Sequence, residues 1–194
     1  MARRLDIVNV VDVEATCWEN EPPPGQINEI IEIGLTEVDV AKLEIKSSNG
    51  FIVKPKNSKI SEFCTRLTGL TQTDVNKSQW TLELVCRDIK RLYKTKNRTW
   101  LSWGDYDRNQ FQRQCRNEGI IYPFGPSHIN LKNVLAICEL LPKEQGMYGI
   151  LKRFNMKMKG RHHRGIDDSY MIALIYIEFL RRYREHRSFG GGIE

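Results

Sequence analysis

Long apolar runs are missing from this sequence. The longest, Met171 to Ile177, falls far short of the roughly 20 residues a membrane span needs, so no membrane-spanning helix is expected in these residues. Cysteine is scarce. The five present (Cys17, Cys64, Cys86, Cys115 and Cys138) are odd in number, widely spaced and form no CxxC. That argues against a disulfide framework or a structural zinc site and points to a reducing, cytoplasmic setting. No Pro/Gly/Ser-rich linker and no internal repeat divides the chain, since Pro22-Pro23-Pro24-Gly25 comes too early for a domain boundary and reads as a loop. The opening residues carry Arg3-Arg4, as a signal peptide would, but Asp6, Asn9 and Asp12 interrupt the apolar stretch before a secretory core forms.

What is present suits one folded domain. The chain has 194 residues, 40% hydrophobic and 28% charged, enough for a sizeable core and unlike a disordered segment. We expect a single domain over residues 1–187 and a flexible tail over 188–194 around Gly190-Gly191-Gly192. Charge is divided unevenly. Residues 1–50 hold four Lys/Arg and ten Asp/Glu, a net of −6; the remainder holds 26 basic and 14 acidic residues, a net of +12. An acidic start within a basic chain suits a protein that holds cations at one place and a polyanion around it.

The β-branched run Asp6–Val13 reads as a buried strand, and Ile27–Val40 and Lys42–Lys54 as two more, the last interrupted near Asn49-Gly50. Helical spacing then takes over. Thr81–Lys94, Asn109–Asn117, Leu131–Leu141, Met147–Phe154 and Asp167–Tyr183 read as helices, with a short strand at Thr99–Trp103. The order predicts an α/β fold: a mixed sheet with an antiparallel N-terminal meander, flanked by α-helices.

Three places carry chemistry. Asp12 and Glu14 lie two apart on the first strand and so share one face. Two carboxylates emerging from an apolar strand repel each other and lose hydration, a cost that a hard divalent cation removes. For an isolated DxE, a solvated strand end is the commoner explanation. His163 precedes Asp168 in HHRGIDDS, where the longest helix begins. That adds a carboxylate and an imidazole able to take a proton near neutrality. A plain interaction with the helix dipole accounts for one of Asp167 and Asp168, less well for both beside His163. In SWGDYDRNQF, Asp105 or Asp107 offers a fourth carboxylate, and Tyr106 or Trp103 a flat face for a base.

Together, VDVEATCW, ISEFCTRLTGLTQTDV, SWGDYDRNQF and MKGRHHRGIDDS resemble, in order and spacing over residues 6–185, the DEDDh 3′–5′ exonucleases of the ribonuclease-H-like (DnaQ-like) superfamily, in particular the Eri-type RNA exonuclease branch. The resemblance implies that Asp12, Glu14, Asp107 and Asp168 are the metal-binding carboxylates and His163 the general base. It selects Asp107 over Asp105 because an aromatic residue precedes that aspartate and Phe111 follows four positions later. It selects Asp168 and His163 over their neighbours because the family places them five apart. It further implies two Mg²⁺ ions, with Mn²⁺ able to substitute. Asp12, Glu14 and Asp168 hold the ion that activates water, Asp12 reaches a second ion, and Asp107 acts on that second ion through water. The implied activity is removal of nucleoside 5′-monophosphates from single-stranded RNA or 3′ overhangs, by a monomer with no membrane partner. Leu67 and Thr68 would abut the terminal nucleotide beside Tyr106. The basic stretch Lys152–Arg164, with Arg161 within it, would track phosphates. A DNA exonuclease of the same fold, and a non-catalytic binding protein that keeps it, are the alternatives. The complete set of four carboxylates and His163 favours an enzyme.

Overall fold

The computed structural model describes residues 4–189. Five strands, β1 (Arg4–Ala15), β2 (Ile30–Asp39), β3 (Glu44–Ile52), β4 (Arg98–Ser102) and β5 (His128–Asn130), form one mixed sheet of order β3-β2-β1-β4-β5. β2 runs antiparallel to β1 and to β3, while β4 is parallel to β1 and β5 parallel to β4. Seven helices cover it: α1 (Glu62–Thr68), α2 (Gln72–Lys77), α3 (Leu82–Leu92), α4 (Tyr106–Glu118), α5 (Leu131–Cys138), α6 (Met147–Arg153) and α7 (Gly165–Phe189). The mixed sheet, the N-terminal meander and the flanking helices are those the sequence predicts.

The two-residue period of β1 sorts its side chains between two cores. Val8 and Val10 face a layer built from α5, α6 and α7, with Leu135, Leu151, Met171 and Ile175 buried against them. Val11 and Val13 face α3 and α4 through Val85, Ile89 and Phe111, beside Trp100 of β4. Asp12 and Glu14 continue the Val8–Val10 face, so the carboxylates emerge where α7 starts.

Short elements escape a periodicity reading. α1 and α2 are announced by their caps instead: Ser61 accepts from the Cys64 N–H, and Thr71 and Asp74 form a reciprocal capping box. β5 is only three residues long. The sheet irregularity opposite Glu37 and Val38 falls at Lys46, whereas Asn49 and Gly50 pair regularly with Leu35 and Gly34. The interruption expected at Asn49-Gly50 is therefore displaced. α4 begins at Tyr106, three positions before the expected Asn109, and its last turn closes on Gly119 in the left-handed region. α5 ends at Cys138 rather than running to Leu141, and α7 extends past Tyr183 to take in Ser188 and Phe189 of the expected tail. Residues 190–194 of that tail lie outside the described residues. No helix among the described residues is long and apolar enough to cross a membrane.

Candidate active site

The parallel strands β1 and β4 end side by side, and the segments that leave them, with parts of α1, α6 and α7, enclose a cleft of about 310 Å³. Its lining includes Asp12 and Glu14 from β1, Trp103, Tyr106 and Asp107 from the β4–α4 junction, Leu67 from α1, Met147 from α6, and His162, His163 and Asp168 from the entry into α7. A crevice at the carboxyl ends of parallel strands is the usual ligand position in such sheets.

Asp12, Glu14 and Asp168 each bring an oxygen within 4.8 Å of the others. Glu14 and Asp168 are 9% and 3% exposed, and Asp107, beside them, is 5% exposed. Asp107 is fixed by the backbone: its Oδ1 accepts from the Val13 N–H at 2.9 Å, which ties α4 to β1. Burial, then the charges of Asp107, Glu14, Asp168 and Glu32, hold the Asp12 carboxyl well above its usual range. Burial, then Asp168, Glu32 and Asp107, push Glu14 up to about 8. Burial raises Asp107 to about 6 against the opposing bond from Val13. Clustered buried oxygens of one sign are a poor arrangement by themselves and a good one for a divalent cation. The donor set, all carboxylate, fits a hard ion.

Backbone geometry sets the distance from α7 to the sheet. A Cβ on Gly34 would stand 1.8 Å from the Gly165 carbonyl oxygen, so β2 must carry glycine there for α7 to approach. Gly34 is the register partner of Asp12, and Glu32 that of Glu14. Glu32 is buried and accepts from Arg164 Nε at 3.0 Å and from the Gly165 N–H at 3.0 Å, which fixes the first turn of α7. Neither Glu32 nor Gly34 stands out in the sequence. Only the pairing of β2 with β1 gives them their roles.

The neighbouring candidates separate by what they bind. Asp105 pairs with Arg108 at 2.9 Å and accepts from Asn130 at 3.0 Å. Asp167 accepts from the Arg161 N–H at 2.9 Å. Asp168 accepts from the His163 N–H at 2.8 Å, and its other oxygen lies 3.0 Å from His162 Nδ1. The imidazole against Asp168 is thus that of His162. The His163 ring stacks on it at 4.0 Å, also faces the cleft, and sits on a residue with φ of +64°. Burial and then the neighbouring His162 draw the His163 pKa below its ordinary value.

The expected substrate contacts divide. Leu67 and Tyr106 line the cleft. Thr68 is fully buried, its hydroxyl donating to the Cys64 carbonyl within α1, and Arg161 donates to the Arg66 carbonyl at 3.2 Å. Neither lines the cleft: a threonine hydroxyl in the last turn of a helix finds a carbonyl four residues back, and a guanidinium finds the helix's unpaired carbonyls. The basic stretch is divided too. Arg153 pairs with Glu139 and Arg164 with Glu32, whereas Lys152, Lys157 and Lys159 are exposed. Across Arg87–Arg98, a second run rich in Lys and Arg, Arg98 is buried against Glu37 at 2.5 Å, and Arg87 and Arg91 share Asp88 on the solvent face of α3.

Comparison with known proteins agrees with this arrangement. Residues 10–176 match the family model described as Exonuclease. The chain is 31% identical over 185 residues to human "3'-5' exoribonuclease 1", covering 91% of this chain and 53% of that protein. It is 30% identical to mouse "ERI1 exoribonuclease 2", covering 89% of this chain and 28% of that one. The chain thus spans about half the length of the first of these relatives, and less of the second. Among solved structures, the nuclease domain of 3'hExo, described as a DEDDh family member bound to rAMP, superposes with a TM-score of 0.82 at 30% identity, covering 92% of this chain and 93% of that domain. With two carboxylates on the central strand, a third at the start of α4, a fourth in the first turn of α7 and the family model matched across them all, this chain belongs to the exonuclease family, on the ribonuclease-H-like fold of the DEDDh enzymes.

Proposed function

We propose that this chain is a metal-dependent 3′–5′ exonuclease that removes nucleoside 5′-monophosphates from single-stranded RNA or 3′ overhangs. The observation that carries the reading is the meeting of Asp12, Glu14 and Asp168 within 4.8 Å in a cleft that Asp107 and His163 also line. Asp12, Glu14 and Asp168 would hold one Mg²⁺, with Mn²⁺ able to substitute, and Asp12 and Asp107 would serve a second. Bound there, such ions supply positive charge to the phosphate and a more acidic water. His163 accepts a proton from the attacking water, and burial, which draws its pKa down, favours the neutral imidazole that can do so. Tyr106 and Leu67 border the place where the terminal nucleotide would lie. The RNA preference is supported by the relatives named as exoribonucleases, and DNA is the rival substrate.

The assignment of the base has its own test. His163→Ala should slow turnover by about 10²–10⁴-fold, the usual worth of a general base, and His162→Ala should cost much less. Equal losses, measured on one labelled oligonucleotide, would reverse or remove the distinction.

Polarity and electrostatics are checked together. A free 3′ end should yield 5′-monophosphates and a blocked one should resist. Neutralising Lys157 and Lys159 should flatten the plot of log affinity against log salt more than neutralising Lys90 and Lys94. The first pair lies on the exposed approach to His163, the second on α3 and just past its end. An unchanged slope in the first variant would remove that phosphate track.

A further inference from the structure

We infer that His162, His163 and Asp168 form a site for a transition-metal ion, Zn²⁺ above all, whose occupation switches the enzyme off. The inference rests on the exonuclease reading for its consequence but not for the site itself. The three residues bring ligand atoms within 4.8 Å of one another, two of them imidazole nitrogens. His162 Nδ1 is 3.0 Å from one Asp168 oxygen and 3.1 Å from the other. Ligand atoms held by a tetrahedral zinc at about 2.0–2.1 Å stand roughly 3.3 Å apart, so this edge of the site is nearly formed. The rings of His162 and His163 lie stacked at 4.0 Å, and Tyr148 packs edge-on against His162 at 5.2 Å, which limits the ring's freedom. The His162 side chain is 29% exposed, so an ion can reach it from solvent.

The chemistry of the donors separates this site from the carboxylate cluster it adjoins. Asp12, Glu14 and Asp168 offer oxygen only, which suits Mg²⁺. Two imidazoles and one carboxylate, with the fourth position open, suit Zn²⁺ and are a poor set for Mg²⁺. The two sets share Asp168. A zinc ion on the histidine set therefore takes a carboxylate from the other and engages the His163 imidazole, which silences the enzyme. His162 is a ligand in this donor set and not in the carboxylate set.

The test is a calorimetric titration of ZnCl₂ into the full chain in excess Mg²⁺, with activity followed in parallel. Wild type should bind one zinc ion and lose activity as it does. His162→Ala should bind zinc at least about ten-fold more weakly, since losing even a group that only supports a metal ligand costs about 10–100-fold, and should need correspondingly more zinc for half-inhibition. His162→Gln keeps a hydrogen-bond donor for Asp168 but is a poor zinc ligand, so it should behave like His162→Ala. Equal zinc affinity in wild type and either folded variant would overturn the site. Zinc binding that depends on His162 but leaves activity intact would overturn the switch. Absence of activity with Mg²⁺ alone would count against the exonuclease reading, while the titration would still decide the site.

Discussion

Asp12→Ala is expected to reduce exonucleolysis to background while leaving a folded chain that, without metal, is more stable than the wild type. Asp12 stands in the middle of the buried acids, facing the charges of Asp107, Glu14, Asp168 and Glu32. Removing it takes away a carboxylate the ions would share and relieves repulsion the metal-free protein must bear. The same cause sets the pH dependence. Asp12, Glu14 and Asp107 all have folded-state pKa values above their ordinary ones, so the folded protein binds more protons than the unfolded chain. Stability in chelator should therefore be greatest near about pH 4 to 5. It should fall as pH rises, with the Asp107 contribution lost by about 6 and that of Glu14 by about 8. Thermal melts in chelator across this range should show a shallower slope in Asp12→Ala. Full activity in the folded variant, or an apo protein that gains stability toward about pH 8, would be incompatible with the carboxylate cluster as described.

Gly34→Ala is expected to be nearly as damaging, by a different route. The added methyl would meet the Gly165 carbonyl at 1.8 Å, and the atom it meets is backbone. Relief requires α7 to lift from β2, which moves Asp168 away from Asp12 and Glu14. The cost should reach the upper end of the roughly 1–3 kcal/mol seen for overpacking, or exceed it. Activity should fall even under conditions where the variant stays folded. Gly50→Ala is the comparison: its Cβ would lie 3.0 Å from the Ile166 Cβ, a tight contact that a shift of a few tenths of an ångström relieves. Denaturant melts and metal titrations of the two variants separate these outcomes. Wild-type stability and metal affinity in Gly34→Ala would mean that the helix is not held at this distance.

Residues whose partners are near in sequence could be read before the fold was known, and those with distant partners could not. Asp12 and Glu14 were readable because a strand's period puts residues two apart on one face. Asp168 was readable because HHRGIDDS opens a long apolar helix. Choosing Asp107 over Asp105 needed the resemblance; in the structure Asp105 is occupied by Arg108 and Asn130, while Asp107 turns inward to the Val13 N–H. Glu32 and Gly34 were not readable, since they matter only through their register with Glu14 and Asp12 across a strand pair. The orientation of two adjacent histidines was not readable either. Proximity to Asp168 in sequence is shared by both, and the positive φ of His163 accompanies the placing of the His162 ring on the carboxylate. Arg161 and Arg98 show the limit of counting charge along the chain, one spent on a helix terminus and the other buried against Glu37.

If the chain cuts nucleic acid from its 3′ end as proposed, the carboxylates at the end of β1 and the starts of α4 and α7 should act only with divalent metal. Digestion of matched 5′-labelled RNA and DNA single strands by the wild-type chain, with Mg²⁺ and with chelator, tests this head-on. The expected result is a ladder that shortens one nucleotide at a time in Mg²⁺, faster on RNA, and no shortening in chelator. DNA cleaved as fast as RNA would remove the RNA preference alone. An intact RNA in Mg²⁺ and in Mn²⁺, or a ladder that persists in chelator, would contradict a metal-dependent 3′–5′ exonuclease.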